Sequence, residues 1–169
     1  MYHVDLDEIS RVNHILDATS IDIGRTLFIP QPSSQTSFSE TQNPQEEFIW
    51  PLKGKVVYSF GEIINNLKNQ GIDIKPSGNS DIVAARSGRV VFISDNFKGF
   101  GKTVIIDHND GFFSVYTRNL KVFIKAGDTI KKGDLIAKAG AAGRDKNTYL
   151  HFEIRKGNIA QNPLFYLSN

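Results

Sequence analysis

The chain has 169 residues, 40% hydrophobic and 22% charged, with 20 Lys and Arg against 18 Asp and Glu for a formal net charge of +2; this is the composition of a globular protein, not of a fibrous or wholly disordered one. It contains no Cys and four His, at His3, His14, His108 and His151, which excludes zinc fingers, disulfide scaffolds and thiol enzymes. The small basic excess is spread along the chain without the dense stripe that nucleic-acid binding needs, and no apolar run approaches the roughly 18 residues of a membrane span.

Asp5 and Glu8 have the spacing of a capping box, and Leu6, Ile9, Val12 and Ile15/Leu16 recur at helical spacing, which predicts one short amphipathic helix. Ile21, Ile23, Leu27 and Ile29, with Gly24 as a turn and Pro30 as a stop, predict a brief strand. Residues 31–47 draw on Gln, Pro, Ser, Thr, Asn and Glu, with Phe38 the one apolar side chain. Such a stretch cannot bury enough surface to offset its ordering entropy, so it is expected to be a flexible linker.

Thirteen of the fourteen Gly follow that linker, set among short segments rich in Val, Ile, Phe and Tyr. Strands are predicted at Lys55–Ser59, Gly88–Ser94, Thr103–Asp107, Phe112–Tyr116, Leu135–Ala139 and Tyr149–Arg155. Turn signals separate them, among them Lys98-Gly99, Asp110-Gly111, Ala126-Gly127-Asp128 and Lys132-Gly133-Asp134. The pattern is mainly β, an antiparallel sandwich or barrel. One helical candidate lies inside it, Glu62–Lys68, where Ile63, Ile64 and Leu67 could line one face.

The last strand alternates. Tyr149, His151, Glu153 and Arg155 fall on one face and Leu150, Phe152 and Ile154 on the other. The apolar face is core, so the polar face lines a groove or meets solvent; a half-exposed strand with a satisfied His is the plain alternative. Two further segments join it: Asn69-Gln70-Gly71-Ile72-Asp73-Ile74, where Gly71 allows close backbone approach and Asp73 offers a carboxylate, and Tyr116-Thr117-Arg118-Asn119 after an apolar strand.

These segments in this order, with Trp50-Pro51-Leu52-Lys53-Gly54 at the start and Asn162-Pro163-Leu164 at the end, resemble the LytM or lysostaphin-type zinc metallopeptidase domain over residues 48–167. The resemblance implies that family's fold, a sandwich or barrel-like duplicated hybrid motif. In its active members a His, an Asp four residues later and a C-terminal His bind zinc, and two more His assist. By motif, the ligand positions are Asn69, Asp73 and His151, and the assisting positions are Arg118 and Tyr149. Three of the five therefore lack the imidazole, and His151 is the one His kept. An Asn amide is a poor zinc ligand, a catalytic zinc needs three protein ligands and an open position, and Arg118 cannot serve as a base at neutral pH. The expectation is no catalytic residue, no metal and no cofactor. His108 falls where the family has a structural His.

A peptidase fold without its metal keeps a groove. The pattern of loss is similar to degenerate LytM proteins that activate peptidoglycan amidases, so the resemblance implies a peptidoglycan amidase as protein partner and a location in the cell envelope or periplasm, the export signal or lipoprotein anchor not being among these residues. The expected groove residues are Gln70, Asp73, Phe100, Tyr116, Arg118, Tyr149, His151 and Arg155, with Arg118 and Arg155 pairing acidic residues of the partner. The alternative for Asp73 and His151 is a hydrogen bond to each other across the former metal site. Residues 2–13 and 23–30 resemble the second half of a LysM repeat, a small α/β remnant that makes peptidoglycan glycan a second expected ligand. The implied organisation is a partial LysM-like segment over 1–30, a linker over 31–47 and a degenerate LytM domain over 48–169. Two other functions stay open: a passive peptidoglycan-binding module and an active zinc endopeptidase. Glu62–Lys68 is weighed as a helical cover over the groove against an ordinary loop.

Overall fold

A computed structural model of the chain describes residues 46–78, 80–97, 101–140 and 148–168. The helix and strand expected before residue 30, the LysM-like segment, the linker up to residue 45 and Phe100 lie outside the described residues. Glu46, assigned by composition to the linker, is part of the packed body. Its carboxylate accepts from the Ser87 backbone N–H at 2.9 Å and stands 3.7 Å from Lys132 Nζ.

The described elements are, in chain order, β1 (Phe48–Ile49), β2 (Gly54–Tyr58), β3 (Ile63–Ile64), β4 (Leu67–Lys68), β5 (Ile72–Pro76), β6 (Asp81–Val83), β7 (Gly88–Ser94), β8 (Lys102–Asp107), β9 (Phe112–Val122), β10 (Thr129–Ile130), β11 (Leu135–Ala139), β12 (Leu150–Lys156), β13 (Ile159–Gln161) and β14 (Leu167–Ser168), with one 3-10 turn at Pro163–Phe165. The predicted mainly-β class holds. The main sheet is antiparallel in the order β10-β7-β8-β9-β12-β5-β2, with β11 bridging β9 and β6 and β13 lying on β12. Two small pairs complete it: β1 runs parallel to β14, and β3 pairs antiparallel with β4.

The core follows from the alternation. Leu150, Phe152 and Ile154 of β12 are fully buried, as are Ile72 and Ile74 of β5 and Val104 and Ile106 of β8, and they meet Ile82 and Ile136 from β6 and β11. Strands β5 and β12 approach closely because residue 71 is Gly; a Cβ there would stand 2.2 Å from the Phe152 carbonyl oxygen.

Two elements differ from the sequence reading. Glu62–Lys68 is not helical; it is the β3–β4 hairpin, with Ile64 opposite Leu67 and Ile63 opposite Lys68. The reason is the Asn65-Asn66 pair at its tip, with φ of 50° and 64°, the two left-handed residues that a type I′ hairpin turn demands and that Asn tolerates better than most side chains. Strand β9 runs on past Tyr116 to Val122. A bulge at Thr117 and Arg118, where the register with β8 shifts, re-aims the strand without ending it.

Candidate functional site

Three neighbouring strands bring the motif residues together. Asp73 of β5 lies opposite His151 of β12, and His151 lies opposite Thr117 of β9. Residues directly opposite share a face, so these three sit on the side of the sheet away from Phe152 and Ile154. His151 Nδ1 is 2.6 Å from Asp73 Oδ1 and its Nε2 is 3.1 Å from Glu153 Oε1. Glu153 in turn accepts from Arg155 Nη1 at 2.5 Å, and Arg155 Nη2 donates to the Asn158 carbonyl at 2.5 Å. The result is a ladder of alternating charge, Asp73, His151, Glu153, Arg155. Burial works against a charged imidazole at His151, but the hydrogen bonds and charges of Asp73 and Glu153 outweigh it and push the ring up to about 9. Burial likewise opposes charge on Glu153, and the bonds to His151 and Arg155 hold its carboxyl below the ordinary range.

The zinc of active LytM members can be tested against this geometry. A ligating imidazole must offer a lone pair, whereas both nitrogens of His151 are engaged by carboxylates on opposite sides of the ring. Asn69 is buried, and its carboxamide bridges two backbone groups: Nδ2 donates to the Ser59 carbonyl at 3.1 Å and Oδ1 accepts from the Gly71 N–H at 3.3 Å. Among the described residues no three His, Asp or Glu side chains converge as a metal site. As bonded here, Asn69 and His151, two of the three expected ligand positions, offer no free donor to the ion.

Arg118 and Tyr149, at the two positions expected to assist, form a unit of their own. The Arg118 guanidinium lies 4.5 Å over the Tyr149 ring, and that ring meets Tyr58 edge-on with centroids 6.2 Å apart. Arg118 adopts φ of 65°, a left-handed conformation that costs a non-glycine residue about 1–2 kcal/mol. Asn119 holds the bulge in place: it is fully buried, and its Nδ2 donates to the carbonyls of Tyr116 at 2.8 Å and Lys102 at 2.9 Å. Beside it, the buried Thr117 Oγ1 has no hydrogen-bond partner among the described residues.

The expected groove set divides. Asp73, His151 and Arg155 are joined through the ladder and Arg118 stacks on Tyr149, with Asp73 and Tyr149 themselves buried; Gln70 is exposed and donates to the Lys68 carbonyl at 3.2 Å. Tyr116 does not belong there. It lies opposite Phe152, fully buried, on the core side. Its hydroxyl accepts from the Ala85 N–H at 2.8 Å and lies 3.0 Å from Ser114 Oγ, and burial pushes it up to about 12. Period-two alternation from Tyr116 would have placed Val115 and Thr117 on the groove face instead, once the pairing with β12 is known. Glu153 was legible on the polar face of its strand; its part in the ladder was not. His108 closes the buried polar chain. Its Nδ1 lies 2.8 Å from the Ser87 carbonyl and its Nε2 lies 2.9 Å from Ser114 Oγ. The carbonyl can only accept, so Nδ1 carries the proton, and a neutral ring then accepts from Ser114 at Nε2. Burial lowers this ring to about 4.

Comparison with known proteins supplies the remaining findings. Residues 67–163 match Peptidase family M23. The murein hydrolase activator NlpD of Salmonella dublin is 39% identical over 142 residues, a stretch that covers 84% of this chain and 36% of that protein. The chain thus spans about a third of the length of the NlpD relatives it matches. Among solved structures, the catalytic domain of the antimicrobial peptidase lysostaphin from Staphylococcus simulans has a TM-score of 0.63 at 27% identity, covering 69% of this chain and 93% of that one. A chain of the SpoIIQ–SpoIIIAH pore-forming complex has a TM-score of 0.63 at 29% identity, covering 73% and 92%.

Proposed function

The chain belongs to peptidase family M23, and from that membership we propose that it is a catalytically inactive member which binds and activates a periplasmic N-acetylmuramoyl-L-alanine amidase, promoting the splitting of septal peptidoglycan when daughter cells separate. The observation that carries the reading is the use made of the metal positions. The His151 ring is held between Asp73 and Glu153, and the Asn69 carboxamide is committed to backbone groups. A site closed in this way has no open coordination position at which water could be activated. The relative named a murein hydrolase activator supports the same direction, as does a solved relative found in an assembly of two proteins.

The activator acts by population shift. It binds the amidase state in which a blocking segment is displaced, and can shift the equilibrium only by its differential affinity for that state. The half-exposed part of the ladder, His151 to Arg155, with Arg118 held over the buried Tyr149, is the surface for that segment, since Arg supplies directional hydrogen bonds at interfaces. The division into a LysM-like segment over 1–30, a linker that ends before Glu46 and the domain that follows is part of the proposal, with glycan as a second ligand of the first segment. The protein works in the cell envelope.

The test combines three measurements on the purified full chain: zinc content by mass spectrometry, release of soluble fragments from cross-linked muropeptides, and stimulation of a purified amidase on dye-labelled sacculi. The expected result is no stoichiometric zinc, no cleavage and strong stimulation. Zinc with cleavage establishes an endopeptidase instead, and sedimentation with sacculi without stimulation of any amidase of the same cell establishes a passive wall-binding module.

A further inference from the structure

We propose that the β3–β4 hairpin is a docking element which the partner amidase takes into an apolar cleft, and that Asn69 is the clamp that holds it; the inference rests on the activator reading above and adds a surface to the residues of the ladder. Two large aliphatic side chains of this short hairpin face solvent, Ile63 at 66% exposure and Leu67 at 69%. A segment folded down as a cover would bury them. Opposite residues share a face and successive ones alternate, so Ile63 stands beside Lys68 on one face and Leu67 beside Ile64 on the other. The element is apolar on both sides, the shape of a blade that enters a cleft.

A hairpin of two-residue strands is not stable by itself, so its position depends on its base. There Asn69 continues the ladder: its N–H donates to the Glu62 carbonyl at 2.8 Å and its carbonyl accepts from the Gly61 N–H at 2.8 Å. Its side chain adds the bonds to Ser59 and Gly71, and the Glu62 carboxylate accepts from the Ser59 N–H at 2.8 Å. An imidazole kept for a metal at residue 69 would leave both bridged backbone groups without these bonds. The position that fails as a metal ligand is the one that fastens the hairpin.

Charge selects the occupant. Lys68 flanks Ile63 on the exposed face, while the one carboxylate of the hairpin, Glu62, is turned back to the Ser59 N–H. The complement is an apolar cleft with a carboxylate on its rim. A second copy docking through the same face would set Lys68 against Lys68, and an anionic membrane would meet the polar Asn65-Asn66 tip first.

The experiment uses the full chain and a purified N-acetylmuramoyl-L-alanine amidase from the same cell, with affinity by calorimetry and activity by dye release from sacculi. The double variant Ile63→Ser, Leu67→Ser is expected to unfold at the wild-type temperature and to bind at least tenfold more weakly. Lys68→Glu is expected to weaken binding several-fold with the fold unchanged, and Asn69→Ala to lower both stimulation and the unfolding temperature. Wild-type affinity and stimulation by the double variant overturn the inference while leaving the activator reading intact. Hairpin-dependent dimerisation, or hairpin-dependent sedimentation with phosphatidylglycerol vesicles, also overturns it when stimulation is unaffected. No stimulation by the wild-type chain overturns the activator reading and the inference with it.

Discussion

The two buried histidines of the domain are expected to titrate in opposite directions. His151 lies between two carboxylates and is raised from 6.5 to about 9, whereas His108 is lowered from 6.5 to about 4, chiefly by burial, with the nearby Arg86 charge adding to it and Asp110 and Glu46 opposing. Each displacement corresponds to about 3 kcal/mol of linkage between protonation and folding. For His151 the native state binds the proton more tightly, so its contribution is fully present below pH 6.5 and is lost as pH rises through about 9. For His108 the unfolded state binds the proton more tightly, so stability falls as pH drops from 6.5 towards about 4. The two together give a stability maximum between about 6 and 7, with slopes near 1.4 kcal/mol per pH unit on either side where these rings dominate. The assay is a proton–carbon correlation titration of the imidazole rings, assigned with His3→Gln, His14→Gln and His151→Gln variants, alongside urea unfolding at several pH values. His151 titrating near the ordinary 6.5 would refute the reasoning, because the carboxylates would then not hold the ring charged and its nitrogens would be open to a metal ion. Asp73→Asn supplies the internal control: it removes one charge and one acceptor, and should bring the His151 midpoint down while leaving His108 where it was.

Thr117→Val removes a buried hydroxyl without a hydrogen-bond partner at nearly constant volume; since an unsatisfied hydroxyl costs about 1–3 kcal/mol, thermal unfolding should be unchanged or shifted upward, and a marked drop would mean that the hydroxyl is satisfied. Arg118→Gly relieves the left-handed backbone at φ 65° and loses the stack on Tyr149. These effects are each about 1 kcal/mol and opposite in sign, so stability by urea titration should stay near wild type while amidase stimulation falls. Phe152→Ala empties a fully buried site packed on Tyr116 and should cost about 3–5 kcal/mol by chemical denaturation. Restoring imidazoles one at a time, as Asn69→His or Tyr149→His, should yield neither bound zinc by mass spectrometry nor muropeptide cleavage, because the Asp73–His151–Glu153 ladder remains closed.

Much of the site was legible in the chain itself. Leu150, Phe152 and Ile154 against His151, Glu153 and Arg155 is a local period-two pattern, and local pattern determines which side of one strand is buried. The predicted span Gly88–Ser94 matches β7 and Leu135–Ala139 matches β11, because Gly and Asp turn signals bracket short runs of branched side chains. Gly71 marked a close approach that the Phe152 carbonyl confirms. The lack of imidazole at residues 69 and 118, as the resemblance aligns them, also needed no coordinates, since an Asn amide and an Arg guanidinium cannot do the work of an imidazole ligand and an imidazole base.

Tertiary structure decided what depends on register. Tyr116 reads like a groove residue until its pairing with Phe152 places it in the core and puts the buried Thr117 on the side of His151; that pairing joins residues far apart in the chain and has no local signature. Ile63, Ile64 and Leu67 suit a helical turn as well as a hairpin, and the positive φ at Asn65 and Asn66, supported from below by Asn69, selects the hairpin. The ladder from Asp73 to Arg155 closes across 78 residues of sequence at its first rung. Side-chain identity and alternation are carried by near neighbours, so sequence alone determined several of the strands and the buried face of β12; contact between distant strands is set by hydrogen-bond register, so only the folded sheet decided how His151 is held and which backbone groups Asn69 bonds.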